Sequence, residues 1–230
     1  MNITALALWL HSGTFLAALV YFWEDVKKLI KALFYFRQAE EDVRKILVFL
    51  IIATTISWLL GFILVYFTSN FEASSGVTIG VTTKIITLAI GLMLLITAWL
   101  QFRAKREGQK NAHDLRPKDG VTLGLVQALA ALPGLSRSGL TMSALLFKKF
   151  SDTAAIKLSF LMSLPIVLGG NIVLNSDKFT LSSASLAGLT ASFIFGLITI
   201  GGLLKIAKRI NFSWFVFGFG LLTIIAGILQ

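Results

Sequence analysis

The chain has 230 residues, 56% of them hydrophobic, a formal net charge of +10 and no cysteine. Its mean hydropathy of +0.84 lies well above that of a soluble globular domain. Disulfide and thiolate chemistry are excluded, and the basic residues are spread between apolar runs instead of forming one patch, which argues against nucleic acid as a partner.

Apolar runs long enough to cross a bilayer, which takes about 20 residues, recur along the chain. The first, Ile3–Trp23, has no basic segment before it and no small-x-small cleavage site, so it reads as a membrane helix and not as a cleavable signal peptide. It ends in Tyr21, Phe22 and Trp23, aromatics suited to a membrane–water interface. A long basic loop follows, with Lys27, Lys28, Lys31, Arg37, Arg44 and Lys45. Ile46–Thr68 and Ile85–Phe102 are the next two spans, and the loop between them has Lys84 as its one basic residue. Arg103, Lys105, Arg106, Lys110, Arg116 and Lys118 then mark a second basic loop, read as a solvated connection.

The next apolar stretches, Val121–Leu132 and Leu140–Phe147, are each too short to span. Between them lies Pro133-Gly134-Leu135-Ser136-Arg137-Ser138-Gly139, where proline and glycine break the helix. The expected shape over about residues 121–150 is a hairpin of two short helices with a polar turn at depth. Lys148 and Lys149 follow it, and three further runs, Leu158–Leu174, Leu186–Leu204 and Phe212–Leu229, complete the set. Asn175–Ser185 carries Lys178 alone, whereas Lys205, Lys208 and Arg209 precede the last run.

Basic loops stay in the cytoplasm, which puts both termini outside. That parity closes only if Val121–Phe147 enters and leaves on the same side. The expected fold is therefore an all-α integral membrane protein. It has about six transmembrane helices plus one re-entrant helical hairpin, in a single polytopic domain over residues 1–230 of a cell membrane.

Arg137 is the residue that points to chemistry. A full cation at bilayer depth is costly unless it meets an anion or a wet cavity. If a helix restarts after Gly134 with Ser136 as N-cap, the backbone N–H groups of Ser138 and Gly139 add partial positive charge beside the guanidinium. A helix N-terminus with an adjacent arginine is an anion site, and arginine holds two phosphate oxygens at once. Thr141 is one helical turn from Arg137 and can join the cluster, and Gly139 permits close approach. Gly124, Gln127 and Ala131 form a small, partly polar face on the preceding helix. Gln127 there either bonds a ligand or bridges to a neighbouring helix, and serines and glycines of the turn have hairpin packing as their alternative role.

The pattern Gly124-x-x-Gln127-x-x-Ala130-x-x-Pro133-Gly134-x-Ser136-Arg137-Ser138-Gly139-x-Thr141 resembles the second signature motif of the undecaprenyl-diphosphatase family, the bacitracin-resistance membrane phosphatases. Leu158-Ser159-Phe160-Leu161-Met162-Ser163-Leu164-Pro165-Ile166 and Leu10-His11-Ser12-Gly13-Thr14 are similar to two further segments of that family, in the same order along the chain. The resemblance implies removal of the terminal phosphate of a polyprenyl diphosphate, two inverted repeats each with a re-entrant hairpin, a site open to the outer face, and a divalent cation, Mg or Ca. Carried onto this chain, it implies Arg137, Ser136 and Ser138 as catalytic residues. Gly134, Gly139, Thr141 and Gln127 become the substrate-binding set, with polyprenyl diphosphate lipid, the membrane and a homodimeric copy as partners.

The family's glutamate-rich first motif has no counterpart here. The eleven acidic residues fall in expected loops or helix ends, so no metal ligands are assigned. A misplaced start codon or a natural truncation is the expected reason for the gap. His11 is read as packed or solvated and His113 as a loop residue. Two further functions remain open at this stage: a protein that binds and translocates polyprenyl phosphate, and a catalytically impaired truncated homologue.

Overall fold

Inside a bilayer the backbone has no water to bond, so each apolar run closes its hydrogen bonds internally as a helix. A computed structural model of the chain describes residues 3–75, 83–103, 108–130, 137–175, 183–207 and 212–229. The helices are α1 (Ile3–Tyr21), α2 (Trp23–Phe34), α3 (Glu41–Ser75), α4 (Thr83–Arg103), α5 (Pro117–Leu129), α6 (Arg137–Phe147), α7 (Asp152–Asn175), α8 (Ser183–Ala207) and α9 (Phe212–Leu229). Among the described residues, three stretches are long and apolar enough to cross a membrane: Glu41–Leu64, Asp152–Gly170 and Ser185–Lys205. Shorter apolar stretches, Leu10–Tyr21, Thr87–Trp99 and Val216–Leu229, lie in α1, α4 and α9. The protein is an all-α membrane protein, and its six long apolar helices coincide with the six runs of the sequence.

Two elements differ from the sequence expectation. The first basic loop contains α2, an amphipathic helix whose Val26 and Leu29 pack on the core and whose Ala32 is buried. Its lysines mask this period when the segment is read by charge. α3 runs on to Ser75, past the expected end at Thr68, which places Glu72 within a helix instead of a loop. Glu24 and Asp25 likewise sit in the first turn of α2, where acidic side chains complement the helix dipole.

The hairpin is α5 followed by α6, and its base is closed by pairing. Pro117 opens α5, where its missing N–H is no loss. Asp119 Oδ2 accepts from the Arg116 N–H at 2.9 Å, and Asp119 Oδ1 accepts from Lys148 Nζ at 2.9 Å. One buried carboxylate thus caps the incoming helix and holds the outgoing one. Alongside, Lys110 and Phe150 form a parallel backbone bridge, with Lys110 N–H donating to the Lys149 carbonyl and Ser151 N–H to that of Lys110. The turn needs Lys149 at φ 69°, and the reversal lets Phe150 bury its ring. Both ends of the hairpin therefore lie at the same end of the bundle.

α5 seats on α3 through glycine. A Cβ on Gly124 would stand 2.9 Å from the Ala53 carbonyl oxygen and 2.8 Å from the Ile56 Cβ. Ser57 on α3 donates to Ala53 O at 2.6 Å and lies 3.1 Å from Gly124 O, while Gln127 Nε2 donates to Ser57 Oγ at 3.0 Å. α1 packs against α7 and α8, and α4 against α9. Phe49, Leu123, Leu145, Phe150, Leu158 and Leu161 form the centre of the main core, binding hairpin, α3 and α7 together.

The basic segments converge on the end where the hairpin closes. Lys157 near the start of α7 pairs with Asp25 of α2 at 2.7 Å, and Lys45 near the start of α3 donates to the His113 carbonyl at 2.7 Å. From that end α7 climbs into the bundle at about 1.5 Å per residue. Ser159 and Ser163 therefore stand about 10 and 16 Å above Asp152, near the middle of a hydrocarbon layer about 30 Å thick.

Candidate functional site

The free end of the hairpin meets that middle level. α6 begins at Arg137, so the positive end of its dipole and the guanidinium lie together. They face a cavity of about 320 Å³ lined by Arg137, Ser138 and Gly139 from the hairpin, His11 and Thr14 from α1, and Ser159 and Ser163 from α7. Leu94, Val216 and Phe219 from α4 and α9 supply apolar wall. The volume falls within the usual range for a small-molecule site, and a few polar groups on an apolar wall is the usual composition.

One atom distinguishes this cavity. Arg137 Nη1 is buried and donates to no partner among the described residues. A buried, unpaired donor on a charged group costs several kcal/mol in general terms, a cost that a ligand bringing acceptors would offset. Phosphate oxygens match a planar guanidinium better than any other common anion apart from carboxylate.

The hydroxyls around it are ordered by short bonds. Thr141 Oγ1 lies 3.0 Å from the Arg137 carbonyl and 2.7 Å from Ser159 Oγ, tying α6 to α7 one turn below the cation. Ser163 Oγ donates to the Phe160 carbonyl at 2.6 Å, and Thr14 Oγ1 to the His11 carbonyl at 3.0 Å. Their oxygens keep acceptor lone pairs, and Pro165, two residues beyond Ser163 within α7, supplies no backbone N–H donor.

The family model described as bacitracin resistance protein BacA matches residues 1–229. The chain belongs to this family. An undecaprenyl-diphosphatase of Methanococcoides burtonii is 40% identical, over 96% of this chain and 82% of that protein. Undecaprenyl-diphosphatases of Syntrophotalea carbinolica (37%, over 87% of this chain and 74% of that one) and Saccharolobus solfataricus (32%, over 97% and 81%) are similar as well.

Within this family member, the residues expected from sequence divide into three groups. Arg137, Ser138 and Gly139 line the cavity. Thr141 is buried behind it and reaches it through Ser159, while Gln127 faces α3, where its amide nitrogen bridges to Ser57 and its buried Oε1 has no partner among the described residues. Gly134 and Ser136, with Pro133 and Ala131, lie outside the described residues. Sequence reasoning passed over Ser159 and Ser163, although two serines four residues apart in an apolar run already signal one polar face. It also set His11 aside, because nothing in α1 alone reveals that packing brings it to the level of Arg137.

The divalent cation implied by resemblance finds no carboxylate ligand among the described residues that line the cavity. A hard cation takes several oxygen ligands, carboxylates foremost. Among the described residues the cavity is lined by one guanidinium, one imidazole and hydroxyls and by no carboxylate, and no three of His, Asp and Glu cluster together.

Proposed function

We propose that this chain is an undecaprenyl-diphosphate phosphatase, cleaving the terminal phosphate from the lipid diphosphate to leave the monophosphate carrier lipid. The observation that carries the reading is the buried Nη1 of Arg137, without a partner among the described residues, beside the start of α6 and a set of hydroxyls. The names of the similar proteins support the same substrate.

In the reaction, an attacking oxygen bonds to the terminal phosphorus while its bond to the bridging oxygen breaks. The bridging oxygen leaves with the lipid monophosphate, and one water is consumed overall to give inorganic phosphate. Arg137 holds the non-bridging oxygens and matches the charge that spreads over them, the main demand of phosphoryl transfer. Backbone N–H groups at the start of α6 add to that field. The attacking oxygen is either the hydroxyl of Ser136 or Ser138, with water then releasing phosphate from the serine, or water itself. His11, which lines the same cavity, takes up the proton released by the attacking oxygen and returns it to the leaving group. Ser159 and Ser163 orient phosphate oxygens, and Thr141 positions Ser159.

The same reading includes a multi-pass protein of the cell membrane, dependence on Mg or Ca, and a homodimer. No step above is routed through the cation. The test is phosphate release from undecaprenyl diphosphate by the purified chain, with magnesium, with calcium and with chelator. Release with magnesium or calcium that chelator abolishes supports the whole reading; release that persists in chelator supports the phosphatase and removes the cation. Well-folded protein that releases none under all three removes it.

A further inference from the structure

Away from the cavity, at the basic end of the bundle, α2 carries a second arrangement that the phosphatase reading does not use. The chain leaves α1 at Phe22, which is buried, and turns into a helix whose sides have three different characters. One side faces the bundle through Leu29 and Ala32, with Asp25 paired to Lys157 at 2.7 Å. The next side is an exposed apolar stripe: Trp23 is 46% exposed, Ile30 51%, Leu33 58% and Phe34 76%. At 3.6 residues per turn, Lys27 and Lys31 come directly after Phe34 around the helix, and Lys28 after them.

Beneath those lysines is a pocket of about 290 Å³ between α2 and the start of α3, bordered by Lys28, Lys31, Tyr35, Gln38 and Glu40. Lys28 reaches Glu40 at 3.8 Å and Lys27 reaches Glu24 at 2.7 Å, both pairs exposed and hence weak. Lys31 has no ion-pair partner among the described residues. Three lysines against Glu24 and Glu40 leave one net positive charge, with a phenol and an amide as further donors.

We infer that α2 and this pocket form a binding site for the headgroup of an anionic phospholipid. The phosphodiester sits against Lys28 and Lys31, and the exposed stripe of Trp23, Ile30, Leu33 and Phe34 lies in the acyl-chain boundary. Charge complementarity commits the site to this occupant: one net positive charge meets a phosphodiester carrying one negative charge. An apolar stripe bordered by lysines is the pattern by which helices lie on anionic membrane surfaces. Neither feature alone selects a lipid; their adjacency on a single helix does.

The test uses the full chain in nanodiscs of phosphatidylcholine with one quarter phosphatidylglycerol, and reads by native mass spectrometry which lipids stay bound. The expected result is retention of phosphatidylglycerol over phosphatidylcholine well above its share in the bilayer. Lys28→Gln with Lys31→Gln lowers that preference roughly thirtyfold, as expected for two surface lysines. Glu40→Gln raises it, which keeps the idea exposed to failure should the double variant not fold. Arg137→Ala leaves it unchanged, separating this site from the cavity, and millimolar inorganic phosphate does not compete, separating a lipid headgroup from free phosphate. Equal retention of both lipids by the unaltered protein, loss of the preference in Arg137→Ala, or its displacement by free phosphate would each overturn the inference.

Discussion

The two ends of the hairpin are built from similar groups and reach opposite states. At the base, Lys148 meets Asp119, Asp119 also caps α5, and the backbone of Lys110 is paired on both sides with the turn at Lys149–Ser151. At the tip, Arg137 is more deeply placed than Lys148, yet its Nη1 is left with no partner among the described residues. The base spends its charges on holding the hairpin shut. The tip withholds one. In a low-dielectric interior the first arrangement is structural and the second is expensive unless a ligand completes it.

Variants at each end should therefore fail differently. Arg137→Ala should leave the fold intact and lower kcat/KM for lipid diphosphate by about 10²–10³, or about 3–4 kcal/mol of transition-state stabilisation. Arg137→Lys should recover part of that, since a point charge lacks the planar fork. Asp119→Ala should do the reverse. It removes a cap and leaves Lys148 without its carboxylate, lowering stability by about 2–3 kcal/mol in thermal or denaturant unfolding.

Gly124→Val probes how the hairpin is seated. Its side chain would meet the Ala53 carbonyl and Ile56, so unfolding should show a loss of about 1–3 kcal/mol, with activity falling only as the hairpin shifts. The smallest effect is expected at His11→Gln: a fall in kcat of about tenfold or somewhat more, with the unfolding temperature unchanged. Loss of stability with kcat unchanged would instead make His11 a packing residue.

The contrast between base and tip was partly legible before any coordinates. Run lengths and the alternation of basic and neutral loops were enough to require a hairpin that returns to its own side, because that conclusion needs only parity. Arg137 stood out because no other charge falls within an apolar stretch of such a hairpin. Asp119 did not, since a carboxylate near a lysine-rich loop looks solvated until the fold brings Lys148 to it. His11 and Ser159 were hidden for a similar reason: each lies on a different helix from Arg137, and only packing brings the three to one depth. α2 was lost to its own lysines, which made an amphipathic helix look like a loop. Gln127, whose sequence left ligand and bridge both open, is held by Ser57 through its amide nitrogen.

The measurement that bears most directly on the open Nη1 of Arg137 separates binding from turnover. A lipid diphosphate analogue with a methylene bridge, which cannot be cleaved, is titrated into the purified chain and into Arg137→Ala while the unfolding temperature is followed. Ligand that binds only the folded state raises this temperature in proportion to its affinity. The account predicts a clear rise for the unaltered protein and little or none for Arg137→Ala, at equal stability without ligand. An equal rise in both would mean that the phosphate is held elsewhere and that the open donor at the hairpin tip is not its site.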